Sequence, residues 1–489
     1  MKLKEILSIL PIYELKNVSS DTTIQGVKMD DREVSKGDLF VCIKGFTVDG
    51  HDFAENALKR GATVIICERD IGVEDAPMVI VPNTTRALAL IANKYFRYPT
   101  SSLTLVGITG TNGKTTTTYL LEKIFQKLKR KTGIIGTIQL KIGNESKPIV
   151  NTTPDALQLQ NYFHQMVQEN VDIAFMEVSS HALDLGRTFG CDFDVAVFTN
   201  LSQDHLDYHK TMENYLVSKT LLFTGLGNSY SDQQKFAILN ADDPHSETII
   251  KQTMQPIVTY GIHNDAHIMA KEITYSLTNT TFTVSTPKGD IKINSKLNGM
   301  FNVYNMLAAI SVSYVQNVPL SVIKEALEEV NGVDGRFERV DVGQDYAVIV
   351  DYAHTPDSLE NVLQTIKEFA NRKIYVVVGS GGDRDRTKRP LMAQVALNYS
   401  DWTIFTSDNP RTEDPKQILQ DMTRGIKGDH YEVIENRKEA IERAIELASS
   451  GDVILIAGKG HETYQEINGV RYDFDDRLVA KNAIEKKGI

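Results

Sequence analysis

Nine residues, Gly107-Ile108-Thr109-Gly110-Thr111-Asn112-Gly113-Lys114-Thr115, constrain this chain more than any others. The run ends in the Gly-Lys-Thr of a phosphate-binding loop. Ile108 stands where the common spacing has its first glycine, and glycines fall at 107 and 110 instead. An apolar run from Leu103 to Val106 precedes it, and a helical pattern from Thr115 to about Lys129 follows. Strand, loop and helix in that order aim backbone N–H groups and a helix N-terminus at phosphate oxygens. Lys114 is then expected to neutralise β- and γ-phosphates, with the Thr115 hydroxyl on Mg²⁺. A plain glycine turn is the competing reading, and the strand running straight into Gly-Lys-Thr argues against it.

At 489 residues the chain exceeds one ordinary core and suggests about three domains. No apolar stretch is long enough to span a bilayer, and Met1 to Pro11 lacks a signal-peptide core, so a cytosolic protein without a membrane partner is expected. The net charge of −11 argues against a nucleic-acid partner, and an anionic substrate would need local basic clusters. Cys42, Cys67 and Cys191 have no metal-like pairing and read as apolar residues.

From the N-terminus to about Thr100, short strands (Leu39 to Lys44, Ala62 to Glu68, Met78 to Val81) surround one helix, Ala54 to Arg60. From Leu103 to roughly Val333, strands end in polar residues. Val171 to Met176 runs into Glu177-Val178-Ser179-Ser180-His181, and Phe193 to Phe198 into Thr199-Asn200-Leu201-Ser202-Gln203-Asp204-His205. Ligands collect at the carboxyl ends of parallel strands, so these ends should converge on the loop. Thr278 to Asp290 reads as a hairpin excursion. From about Gly335 the pattern restarts: Ala347 to Val350, Ile374 to Val378, Thr403 to Thr406 and Val453 to Ala457 are separated by helices such as Leu359 to Ala370 and Arg437 to Ala448. A second doubly wound sheet is expected, facing the first across a cleft.

Glu177 and His205 are candidates for a magnesium site, because a carboxylate on a strand end can bind the ion and an imidazole can join it. Lys219 reads on periodicity alone as an ordinary helix lysine. Arg384, Arg386, Lys388 and Arg389 crowd one loop, and Arg411 follows an Asn-Pro turn. Their planar forks suit a carboxylate, with a solvated charged loop as the alternative for the cluster. Arg336, between the second and third units, is a candidate for a transferring phosphoryl group, with an interdomain salt bridge as the alternative. The Gly379 to Gly382 turn lacks the full dinucleotide-binding order.

An ordered set of motifs carries a family resemblance over nearly the whole chain. The set is Gly110-Thr111-Asn112-Gly113-Lys114-Thr115, Asn151-Thr152-Thr153-Pro154, Met176-Glu177-Val178-Ser179-Ser180-His181, Asp204-His205-Leu206-Asp207-Tyr208-His209, Phe301-Asn302-Val303-Tyr304-Asn305, Gly335-Arg336-Phe337-Glu338, Asp351-Tyr352-Ala353-His354-Thr355-Pro356 and Gly458-Lys459-Gly460-His461-Glu462. With it the chain resembles the Mur ligases, ATP-dependent amide-forming enzymes of bacterial peptidoglycan synthesis.

The resemblance implies three α/β domains. They are a small one over residues 1–100 for the UDP-muramoyl substrate, a central P-loop mononucleotide-binding one over 101–333, and a C-terminal Rossmann-like one over 334–489 for the amino acid. It implies an ATP-dependent ligase that adds meso-diaminopimelate to UDP-N-acetylmuramoyl-L-alanyl-D-glutamate through an acyl phosphate, with ATP and Mg²⁺ as cofactors. A cytoplasmic monomer working on small molecules is the expected state.

By resemblance Gly110, Thr111, Asn112, Gly113, Lys114, Thr115 and Thr116 hold ATP, Asn302 and Arg336 contact its adenine side and phosphates, and Lys219 is carbamylated to help His205, Glu177 and Thr115 hold magnesium. Asn151, Thr152, Thr153, Ser179 and Arg187 match positions that bind the muramoyl dipeptide, and Met29, Asp31, Phe46, Thr47 and Val48 match uridine-nucleotide contacts. Asp31 stands where the family commonly has Ser. An aspartate beside a diphosphate is unfavourable, so it is expected to turn away or to meet ribose or uracil donors. Asp408, Asn409, Pro410 and Arg411 match the motif associated with diaminopimelate, with Arg384, Gly458 and Glu462 completing that site. The competing readings are the lysine-adding sister, a folylpolyglutamate synthase, and a nucleotide-dependent switch with no ligase activity.

Overall fold

Fully buried apolar runs decide the architecture. Val64–Cys67, Val195–Phe198, Ile374–Val378 and Val453–Ala457 are buried at every position, as strands of a parallel sheet covered on both faces must be. The computed structural model describes residues 1–45, 48–149, 151–228, 234–275 and 279–488. Among these, the strands form three main sheets and one two-stranded ribbon.

The first sheet orders Glu14–Lys16, Met78–Ile80, Val64–Cys67, Leu39–Val41 and Val27–Lys28, parallel except at the Glu14–Lys16 edge. Helix Ala54–Arg60 forms as expected and closes on Gly61 at φ 111°. The expectation of a single helix here is corrected by Thr84–Tyr95, whose N-cap Asn83 side chain accepts from the Arg86 N–H. Ala87, Leu88, Ile91 and Ala92 give that helix one buried face. Cys42 and Cys67 are buried, Cys191 is half-buried, and burial raises all three thiols.

In the eleven-stranded central sheet, Thr104–Thr109 lies between Val195–Phe198 and Ile173–Glu177, parallel to both. The expected strand therefore runs on to Thr109, and Gly107 belongs to it rather than to the loop. A Cβ at Gly107 would stand 2.7 Å from the Phe193 ring, so this glycine makes room in the core. The expected hairpin begins at Thr278, outside the described residues. Its described part, Thr280–Thr286 with Gly289–Ser295, extends the sheet by pairing antiparallel with Ile268–Tyr275.

The third sheet runs Glu338–Arg339, Ala347–Asp351, Val453–Ala457, Ile374–Val378, Trp402–Phe405 and Tyr431–Val433, parallel after its antiparallel first strand. Pro356–Phe369 and Lys388–Tyr399 cover one face, and Arg437–Leu447 and Asp476–Lys487 the other. This is the doubly wound arrangement that places strand carboxyl ends along one rim.

Candidate active site

The phosphate loop is shaped by what it cannot accommodate. Gly110 sits at φ 150°, where a Cβ would lie 1.8 Å from Thr199 Oγ1, and Gly113 at φ 89° is the N-cap of helix Lys114–Lys127. No side chain caps that helix, so its first N–H groups are left for an external acceptor. Lys114 Nζ donates to the carbonyls of Gly110 and Thr111, each at 2.8 Å. Burial lowers its pKa, and Glu177 and Asp204 oppose that shift.

The expected convergence of strand ends occurs. Glu177, Thr199, Asn200 and Asn240 line one cavity of about 600 Å³ together with Thr111, Asn112, Gly113, Lys114, Thr115 and Thr116. Glu177 accepts from Thr115 Oγ1 at 2.9 Å, from the Thr137 N–H at 2.9 Å and from Thr137 Oγ1 at 3.0 Å. From the third unit Arg336 donates to Thr115 Oγ1 at 3.2 Å, its guanidinium 4.3 Å from the centre of the Tyr352 ring.

Lys219 is no surface helix lysine. It is 1% exposed and donates to the Gly110 carbonyl at 2.8 Å, on the same oxygen that Lys114 reaches. Burial and the neighbouring Lys114 push its pKa well below the lysine range. His205, at φ 56°, lies 3.3 Å from Asp204. Its side chain is about a third exposed and lines the cavity, and burial lowers it to about 3 despite Asp204. Burial works to raise Asp204, but Lys388 at 3.4 Å, His205 and His354 hold it well below the carboxylate range.

Among the described residues no three His, Cys, Asp or Glu side chains gather into a metal-binding group. The donors that converge are the Thr115 hydroxyl and the Glu177 carboxylate. They fit a hard cation that keeps waters and phosphate oxygens in its shell, as Mg²⁺ does, and do not form a protein cage.

Arg384, Asp408, Asn409, Arg411, Gly458 and Glu462 line the far wall of the same cavity. Arg411 is held at φ 53°, and its Nη1 donates to the Gly382 carbonyl at 2.6 Å. The basic loop divides. Arg389 is fully buried among Glu413, Asp421 and the Gly381 carbonyl, and Arg386 pairs with Glu413, so both brace the loop. Arg384 and Lys388 face the cavity. The Gly379 turn marks close packing, since a Cβ there would lie 2.5 Å from the Thr406 carbonyl.

Three family models match in chain order: the Mur ligase family catalytic domain over residues 23–96, the Mur ligase middle domain over 108–313, and the Mur ligase glutamate ligase domain over 335–460. The chain belongs to the Mur ligase family. It is 56% identical over 492 residues to UDP-N-acetylmuramoyl-L-alanyl-D-glutamate–2,6-diaminopimelate ligase of Oceanobacillus iheyensis, covering 100% of each chain. It is 54% identical to the ligase of that name from Bacillus velezensis, over 99% of each. A solved structure of a 2,6-diaminopimelate ligase of this type is 36% identical, with a TM-score of 0.69 over 100% of this chain and 99% of that one.

Several positions carried over from the family lie apart from the cavity of this Mur ligase. Asn302 is buried and donates to the Asn298 carbonyl at 2.8 Å. One helical turn on, Asn305 lines the cavity and would touch a Cβ at Gly113. Thr153 is a buried clip, its hydroxyl donating to the Glu177 carbonyl and accepting from the Ser179 N–H, while Arg187 donates to the Thr153 carbonyl. Thr152 and Ser179 line the cavity, and Asn151 is exposed. Pro410 is buried with its carbonyl packed where a Gly382 Cβ would be. In the first unit Met29 packs half-buried against the core, Asp31 opens the turn Asp31–Glu33, and Val48 is exposed. Phe46 and Thr47 lie outside the described residues.

Sequence reasoning missed Asn305 and Lys459 and gave His354 no role. His354 approaches Asp204 to 3.7 Å, and Lys459 lies fully buried between Asn409 and Glu462. The motifs holding His354 and Lys459 were visible, and the Lys459–Glu462 pair lies within one of them, but the contacts of His354 with Asp204 and of Lys459 with Asn409 span fifty or more residues and have no local signal.

Proposed function

We propose that this Mur ligase joins meso-diaminopimelate to UDP-N-acetylmuramoyl-L-alanyl-D-glutamate at the expense of ATP, as a cytoplasmic monomer. In this reading residues 1–100 hold the UDP-muramoyl part, 101–333 the ATP and 334–489 the amino acid. The observation that carries it is one cavity with an anion-ready helix N-terminus on one wall and Arg411 with Glu462 on the other. The full-length likeness to named diaminopimelate ligases supports the substrates. Among the described residues no helix is long and apolar enough to cross a membrane.

A carboxylate oxygen of the dipeptide attacks the γ-phosphorus of ATP. The bond to the β–γ bridging oxygen breaks, and ADP leaves with its electron pair. The α-amine of diaminopimelate, as free base, then attacks the acyl carbon. The tetrahedral intermediate expels phosphate, and the new amide nitrogen gives up a proton. Lys114 and the N–H groups at the start of its helix hold the β- and γ-phosphates, while Arg336 meets charge developing on the transferred group. Thr115 and Glu177 would hold one Mg²⁺ and His205 with a Lys219 carbamate a second, and the ion would supply neutralisation of phosphate charge there. Burial suits His205 and Lys219 to holding the ion, because it keeps the His205 lone pair free and favours the neutral Lys219 amine, the form that adds carbon dioxide. Enclosure between the units keeps water from the acyl phosphate.

The Arg411 guanidinium suits the second carboxylate of diaminopimelate, which lysine lacks. ADP formation with each substrate omitted in turn tests the reading. Release that requires both the muramoyl dipeptide and the amine supports a ligase, and release indifferent to the amine fits a nucleotide switch.

A further inference from the structure

The Lys459 side chain has no solvent exposure and lies behind the wall of the amine site, against Asn409 and Glu462, which line the cavity. A charge so enclosed persists only where its donors are matched. Its Nζ donates to Glu462 Oε2 at 2.8 Å and to Asn409 Oδ1 at 3.0 Å. Asn409 Nδ2 donates to that same Glu462 Oε2, also at 2.8 Å. Glu462 is thus anchored through one oxygen. Among the described residues Oε1 accepts no hydrogen bond, although the side chain lines the cavity. Across from it, Arg411 spends Nη1 on the Gly382 carbonyl, and its Nε and Nη2 donate to no group among the described residues.

The charges of this wall are unequal. Arg437 is matched by Asp476, which it meets at 2.7 and 2.8 Å. Lys459, Arg411 and Arg384 then stand against Asp408 and Glu462, an excess of one cation. The distal carbon of diaminopimelate carries an ammonium and a carboxylate and is neutral as a unit. The distal end of lysine is a bare cation. A free Glu462 carboxylate would attract either amine, whereas a Glu462 already matched by Lys459 offers mainly a hydrogen bond. Discrimination by repulsion needs such a matched partner.

Resting on the reading of this wall as the diaminopimelate site, we propose that Lys459 is a specificity-determining positioning residue. It fixes Glu462 with Oε1 free and cancels the charge that would otherwise admit lysine. Diaminopimelate then gains entry through its second carboxylate on Arg411, and lysine meets a surplus positive charge.

The test is the ratio of kcat/KM for meso-diaminopimelate to that for L-lysine, in the full-length enzyme and in two variants of opposite charge effect. Lys459→Gln keeps a donor and loses the cation, and the ratio should fall about tenfold, with the lysine KM moving down. Glu462→Gln removes one of the two anions and enlarges the positive surplus, and lysine use should fall further than diaminopimelate use, so the ratio rises. A merely structural role weakens both amines in step and leaves the ratio unmoved in either variant, which overturns the proposal. Should Lys459→Gln fail to fold, the Glu462→Gln ratio alone decides. A wild-type enzyme that ligates neither amine overturns the proposed function instead, so the two failures are told apart.

Discussion

Arg336 donates to Thr115 Oγ1 across 3.2 Å, tying the third unit to the first turn of the loop helix. Thr115 passes the contact on to Glu177 at 2.9 Å. The guanidinium thus reaches the phosphate end of the cavity from the opposite wall, where it bears on charge that appears during transfer. Arg336→Ala should lower turnover by about 100- to 1,000-fold while the ATP KM changes by no more than about threefold. Steady-state kinetics with varied ATP checks this, and unchanged turnover contradicts it.

Lys219 and Lys114 share the Gly110 carbonyl, and burial together with that neighbour disfavours a charged Lys219. The wild-type enzyme equilibrated with ¹³C-bicarbonate should show a carbamate carbon resonance, and Lys219→Met should lack it. The variant should also lose turnover by about 100-fold or more, as expected when a metal-positioning group is removed. A resonance that survives in Lys219→Met places the carbamate elsewhere.

Most of the central architecture was legible because strands buried on both faces are written as uninterrupted apolar runs. Ile374–Val378 and Val453–Ala457 match their expected limits residue for residue. Thr84–Tyr95 was missed because half of its aliphatic positions, Ala87, Ala89 and Ala92, are alanines, which signal weakly. Within the site, the motif ends at Glu177 and His205 were readable. The division of labour in the basic loop was not: Arg384 and Arg389 look alike in sequence, and only Glu413 and Asp421, some thirty residues on, draw Arg389 inside. Asn302 and Asn305 differ in the same way: three residues apart on one helix, they sit about 60° apart around its axis.

His209 is 5% exposed, with Ser180 Oγ at 2.9 Å on Nε2 and Ser218 Oγ at 3.3 Å on Nδ1. Burial, reinforced by His181, lowers it from 6.5 to about 4. The unfolded chain therefore takes up this proton first, so the stability contribution is full above about pH 6.5 and is lost as pH falls towards about 4. His209→Gln should show a shallower fall of Tm between pH 7 and pH 4.5 than the wild type, whatever its Tm at pH 8. Parallel curves would mean that the histidine is neutral for another reason.

Arg411 leaves Nε and Nη2 to the cavity, where a second carboxylate can pair with them. Arg411→Ala should lower kcat/KM for meso-diaminopimelate by roughly two to three orders of magnitude and, by removing one cation of the surplus, raise that for L-lysine by about tenfold. Kinetics with the two amines in separate assays check this, and equal losses would make Arg411 a brace for its loop.

The central claim is that a carboxylate activated at the Lys114 loop is delivered to an amine chosen at Arg411. The most direct test supplies UDP-N-acetylmuramoyl-L-alanyl-D-glutamate, ATP and equal amounts of meso-diaminopimelate and L-lysine, and identifies the tripeptide product by mass. The account predicts a product carrying diaminopimelate, with ADP and phosphate formed in step; a product carrying mainly lysine would contradict it.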